Sequence, residues 1–293
     1  MQDVFRAGIR ESLESYYLNL VGGGKHDKLF RAGLYRLRKN KGAYACVIIP
    51  PIYSVCLMLS QYMQMKESGA NYLLDPFLFH FFLVMGVLLS VFVSLYVGTE
   101  YHDGTLRNKL ISGSSRNAVY GLNLWISFLV GTCSVLLAYT AGLAAGIPMF
   151  GVIEMPALTM LQTCVAGILL VLSYVSIFHM ISMLSSSKTT SAVVCILAAV
   201  FMMVFAGIIF SKLSQPEMIT QAVIANGETV METVKNPAYL TGISRTVYQN
   251  ILDFLPAGQA VQIFNQGVLN LGKMMGYSIL IIFRNEPGRI VSI

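Results

Sequence analysis

The chain reads as an all-α polytopic membrane protein: five clear transmembrane helices, a short or truncated sixth, and an amphipathic surface helix near the N-terminus. Three observations predict this. Of 293 residues, 55% are hydrophobic and only 12% charged, where a soluble domain has roughly 45–50% and about 25%. Mean hydropathy is +0.65. The apolar residues gather into runs of about 20, the length a helix needs to cross the hydrocarbon layer. The formal charge of +6 comes from Lys and Arg beside those runs. That placement is a topology signal, and it argues against a nucleic-acid partner.

Residues 1–26 are an N-terminal extension with a Gly-rich linker. Met1 to Leu20 carries Arg6, Glu11 and Glu14, so it lacks the uninterrupted apolar core of a signal peptide. The Gly-Gly-Gly-Lys at 22–25 does not complete a phosphate loop: His26 stands where Ser or Thr is needed, and Asn19 where the first glycine is needed. Residues 27–41 form the surface helix. Leu29, Phe30, Leu34 and Leu37 share one face, and Lys28, Arg31, Arg36, Arg38, Lys39 and Lys41 supply the polar side. Asp27 is placed to cap it. Such a helix lies along the bilayer surface with its cations toward anionic headgroups.

A transmembrane unit follows over 42–283, with spans at about 43–63, 76–97, 118–147, 157–184, 191–210 and 268–283. Pro50 and Pro51 in the first span remove backbone donors, which neighbouring helices must make good. Gly142 and Gly146 permit close helix approach in the third. Positively charged residues before the first span, after the second (Arg107, Lys109, Arg116) and after the fourth (Lys188) place the N-terminus of this multi-pass protein in the cytoplasm. The stretch 211–267 is then external, and short helices dipping back toward the bilayer are expected there. The last run, interrupted by Lys273, is at or below spanning length, and 284–293 is a tail.

The five cysteines, Cys46, Cys56, Cys133, Cys164 and Cys195, lie in apolar runs without CxxC spacing, so free thiols are expected and no metal or redox site. No HExxH occurs. His80 and His179 read as packed or interfacial residues, and Gln162 and Thr163 as helix–helix polar contacts rather than a substrate path.

The polar stretch from Gly98 to Asn123, between spans two and three, carries the chemistry. Glu100 sits at a span end, where a carboxylate requires a cation; Arg107 or Arg116 is the expected partner. Asp103 can cap a helix beginning at Gly104 or Thr105. Leu106, Leu110 and Ile111 share its face. Gly113 suits a left-handed helix end, and Ser114 or Ser115 can cap the next helix. The result is a short amphipathic helix held between two spans.

The pattern Glu100, Gly104, Thr105, Arg107, Leu110, Gly113, Ser115, Arg116 resembles the elbow of permease subunits of the type-2 ABC exporter family. The surface helix and the segment Asp253 to Phe264 resemble that family too, over roughly 27–283. The resemblance implies a separate ABC ATPase subunit that docks on the elbow and carries the ATP and magnesium, with no cofactor and no enzymatic activity on this chain. It also implies a homodimer, or a heterodimer with a second permease, forming an export path in the lipid bilayer. Two other classes fit the composition: an ATP-independent transporter, which needs ionisable residues near the midplane, and a membrane scaffold or immunity protein that binds a toxin peptide. The substrate is not legible.

Overall fold

The computed structural model describes residues 29–69, 72–111, 113–185, 187–225, 228–265 and 270–284. The expected N-terminal extension, the start of the surface helix, the tail from 285 and the His102 side chain lie outside the described residues. Within them the elements are α1 (29–38), α2 (Lys41–Ser68), α3 (Asp75–Leu78), α4 (Phe82–His102), α5 (Thr105–Ile111), α6 (Arg116–Phe150), α7 (Ala157–Leu184), α8 (Lys188–Leu213), the strands β1 (Met218–Ala225) and β2 (Glu228–Lys235), and then α9 (Gly242–Phe254), α10 (Pro256–Asn265) and α11 (Leu271–Arg284). The chain is an all-α bundle with one small hairpin.

Among the described residues, five segments are long and apolar enough to cross a membrane: Lys41–Ser68, Asp75–Tyr101, Arg116–Phe150, Ala157–Leu184 and Lys188–Leu213. α4 is the most buried, enclosed by α2, α7, α8 and α10. Its core residues Phe82, Met85, Leu89, Val93 and Tyr96 are sealed from solvent. α2 and α8 are the least buried. They turn Ile48, Ile52 and Leu59, and Leu197, Phe201, Val204 and Ile208, outward, as lipid-facing helices do. The described part of α11 has 14 residues, about 21 Å of helix.

The paired prolines do not break α2, which runs unbroken for 28 residues. Pro50 has no N–H, so the carbonyl of Cys46 one turn earlier loses its helical donor. Ser134 of α6 supplies a replacement, its Oγ donating to Cys46 O at 2.8 Å. α6 comes close enough because its facing residues are small. A Cβ on Gly146 would fall 2.2 Å from Leu74 Cδ1, and one on Gly142 would fall 3.1 Å from Ser54 Oγ. At the same end Asp75 clasps the α6–α7 connection, accepting from Glu154 N (3.2 Å) and Met155 N (2.9 Å).

The segment expected to hold only short helices begins with an antiparallel hairpin, Met218 pairing with Lys235 and Ala225 with Glu228. Helices follow it as expected. Eight residues of α10, Pro256 to Ile263, are buried against α8, α4, α7 and α9. Irregular backbone at membrane depth is tolerated when protein covers it in this way.

Candidate functional site

The Gly98–Asn123 stretch folds as a helix–turn–helix elbow. Asp103 closes α4, its N–H donating to Thr99 O at 3.0 Å. Gly104 follows with φ of 65°, left-handed backbone that an L side chain strains to adopt. α5 then starts at Thr105, whose Oγ1 donates to Glu100 O at 3.2 Å. It ends in a Schellman arrangement: Gly113, at φ 85°, donates to Leu110 O (2.9 Å) and Ser114 N donates to Lys109 O (3.1 Å). Ser115 caps α6, accepting from Ala118 N at 3.2 Å. Gly113 and Ser115 thus stand where their residue types place them, whereas Asp103, expected to cap α5, is the C-cap of α4.

Glu100 is the centre of the site, with its side chain 1% exposed. The expected partners were Arg107 and Arg116; the structure places both on the exposed side of the elbow. The carboxylate is held by Arg36 of α1 and Lys109 of α5, both on Oε1, and by Asn123 Nδ2 of α6 on Oε2. Arg36 is oriented by Tyr96, whose carbonyl accepts from Nη2 and whose ring lies 3.8 Å beneath the guanidinium. The Tyr96 hydroxyl in turn donates to Gly33 O at 3.5 Å. A buried carboxylate is tolerated when it is paired and its oxygens are hydrogen-bonded; here two cations and an amide meet it. One side chain thus joins the surface helix, the elbow helix, the second span and the third.

The amphipathic faces are used differently from the sequence expectation. α1 lays Gly33 and Leu37 on the protein: a Cβ at Gly33 would fall 2.7 Å from Ile126 Cδ1, and Leu37 packs on the core, while Phe30 of the same face stays exposed. In α5, Leu106 and Leu110 are half-buried. Ile111, expected on the same face, is 74% exposed, flanked by exposed Arg107, Asn108 and Gly113. The elbow is anchored from within and presents an apolar side chain ringed by polar ones. Tyr101 adds a tie to α7, its hydroxyl donating to Met183 O at 2.9 Å.

A second polar cluster, unforeseen from the sequence, lies at the opposite end. Asp253 of α9 is fully buried. Its Oδ1 accepts from Gln249 Nε2 (2.8 Å) and Gln262 Nε2 (3.1 Å). Gln259 joins α9 to α11, donating to Asp253 O (2.8 Å) and Met274 O (3.1 Å) and accepting from Ser278 Oγ (2.8 Å). No ion pair to Asp253 is found among the described residues.

His80 rests on Phe264, ring centroids 4.1 Å apart, and His179 is buried edge-on to Tyr120 at 4.6 Å. Thr163 is buried and donates to Thr159 O in its own helix, while Gln162 is exposed. The five cysteines are free thiols. Among the described residues no group of three or more His, Cys, Asp or Glu could hold a metal ion. Comparison with family models, curated proteins and solved structures finds no match to this chain.

Proposed function

We propose that this chain is the membrane-spanning permease subunit of an ABC exporter, with its N-terminus and elbow in the cytoplasm of a plasma membrane and its energy supplied by a separate ATPase subunit. The observation that carries the reading is the Glu100 junction. A short capped helix, projecting Ile111 and Arg107, is fastened by one buried carboxylate to the surface helix and to two spans. A push on α5 would therefore move α1, α4 and α6 together rather than flex a loop. The chain's lack of a phosphate loop puts nucleotide hydrolysis on the partner, where ATP and magnesium belong in this reading. Two permeases, identical or related, would enclose the path between their membrane halves.

Isolation of the chain from its native membrane in mild detergent tests the reading: an ATP-binding subunit should accompany it at stoichiometric amounts. Its absence, with the chain folded, would overturn the proposal. One observation favours a second reading. Asp253, buried with amide donors and with no cation partner among the described residues, is the kind of group an ion-coupled transporter uses. Transport driven by a proton or sodium gradient without nucleotide, and lost in Asp253→Asn, would establish that reading.

A further inference from the structure

The elbow end carries a second recognition surface that the ATPase reading leaves unused. Arg31 and Arg38 of α1, Lys39 just after it and Lys41 at the start of α2 are exposed, and no Asp or Glu occurs between residues 29 and 44. Exposed aromatic side chains stand among them. Tyr35 is 61% exposed with Lys39 Nζ 4.5 Å from its ring centroid. Tyr44 is also exposed and donates to Arg38 O at 2.9 Å. Trp125, 54% exposed on α6, meets Phe30 of α1 edge-on at 5.8 Å. Trp125 lies about 13 Å along the helix from Arg116, and Trp and Tyr settle at the boundary between headgroups and hydrocarbon. The cations therefore stand at headgroup level, with their aromatic neighbours beside the acyl chains.

Arg36 differs from the other α1 cations. It points inward to Glu100, and Glu100 holds Lys109 of α5. What steadies α1 against the bilayer therefore reaches the elbow through one side chain.

We propose that the exposed face of α1 binds anionic phospholipid headgroups of the phosphatidylglycerol type, and that their binding steadies α5 through the Arg36–Glu100–Lys109 junction. The charge is complementary, and the aromatic setting selects a lipid over a soluble phosphate, which would make no use of Tyr35, Tyr44 and Trp125. The inference uses the elbow geometry and not the transport reading.

Trp125 is the sole tryptophan of the chain, which makes it the reporter. The full chain is reconstituted in phosphatidylcholine vesicles containing acyl-brominated phosphatidylglycerol or, at the same mole fraction, acyl-brominated phosphatidylcholine. The brominated phosphatidylglycerol should quench Trp125 more strongly. Each cation removed from the set Arg38→Gln, Lys39→Gln and Lys41→Gln should cut its local enrichment roughly fivefold, and high salt should act the same way. Equal quenching by the two lipids in the wild type would overturn lipid recognition. A response to inorganic phosphate in phosphatidylcholine vesicles would assign the surface to a soluble anion instead. For the coupling, amide exchange over residues 105–111 should slow in phosphatidylglycerol vesicles for the wild type and not for Arg36→Ala; identical exchange in both vesicles would refute it. None of these readouts needs nucleotide or a partner, so their failure is distinct from failure to find an ATPase subunit.

Discussion

Arg36→Ala is the sharpest perturbation of the Glu100 junction. Removing one partner of a buried ion pair typically costs about 3–5 kcal/mol. The loss here is smaller, because Lys109 and Asn123 remain on the carboxylate and Arg36 is 26% exposed; we take about 2 kcal/mol for the pair. The cation–π contact with Tyr96 adds about 0.5–1 kcal/mol. On the scale of larger domains this lowers Tm by roughly 5–10 °C. Thermal unfolding in detergent, followed by Trp125 fluorescence, measures it. Arg107→Ala is the control: exposed, and without an ion pair among the described residues, it should change stability by less than about 0.5 kcal/mol. In a double-mutant cycle, Arg36→Ala should cost much less once Glu100→Ala has removed the carboxylate. The reasoning is refuted if Arg107→Ala destabilises as much as Arg36→Ala, or if the Arg36 and Glu100 effects simply add.

Three further outcomes follow from the packing. Gly146→Ala should cost about 1–3 kcal/mol by overpacking Leu74 and Met58, whereas Gly121→Ala, with open space around its Cβ in the same helix, should be neutral or stabilising; equal effects by thermal unfolding would contradict the close-approach account. Ser134→Ala should cost about 1–3 kcal/mol by stranding the Cys46 carbonyl, and the loss should shrink in a Pro50→Ala background that restores a backbone donor; an unchanged loss would mean the hydroxyl does something else. Ile111→Glu should leave Tm within about 1–2 °C of wild type yet prevent retention of an ATP-binding subunit on purification, and undiminished retention would remove Ile111 from the docking surface.

The elbow was readable because its signals are local. Gly113, Ser115 and the Thr105 start are set by backbone capping, which acts over a few residues, and the apolar runs locate the five spans by length alone. Of the two cations on Glu100, Lys109 lies within the elbow itself, but Arg36 was not readable. Residue type says that a buried carboxylate requires a cation, but Arg36 is 64 residues away in sequence. Nothing in helical periodicity chooses it over the nearby Arg107 and Arg116; the choice is made by how Gly33 lets α1 settle on α4 and α6. The hairpin was legible and missed. Residues 218–225 and 228–235 are rich in Val, Ile and Thr, and the sequence between them is Asn226-Gly227, a strong signal for a two-residue turn. In a largely helical chain, apolar runs of this length do not by themselves distinguish strand from helix. The Asp253 cluster was missed for the opposite reason: Gln249, Gln259 and Gln262 look like ordinary solvated positions until α10 is seen buried between α8 and α9.

Entry of force from an ATPase at α5 is the step on which the proposed function depends. A photo-cross-linking residue placed at Ile111, 74% exposed at the elbow tip, and another at Met231, 71% exposed on the hairpin at the opposite end, test it in native membranes. Cross-links to an ATP-binding subunit from position 111 and none from position 231, with a yield from 111 that changes between ATP and ADP, are the predicted result. Cross-links from 111 to lipid alone, or a nucleotide-independent yield, would contradict it.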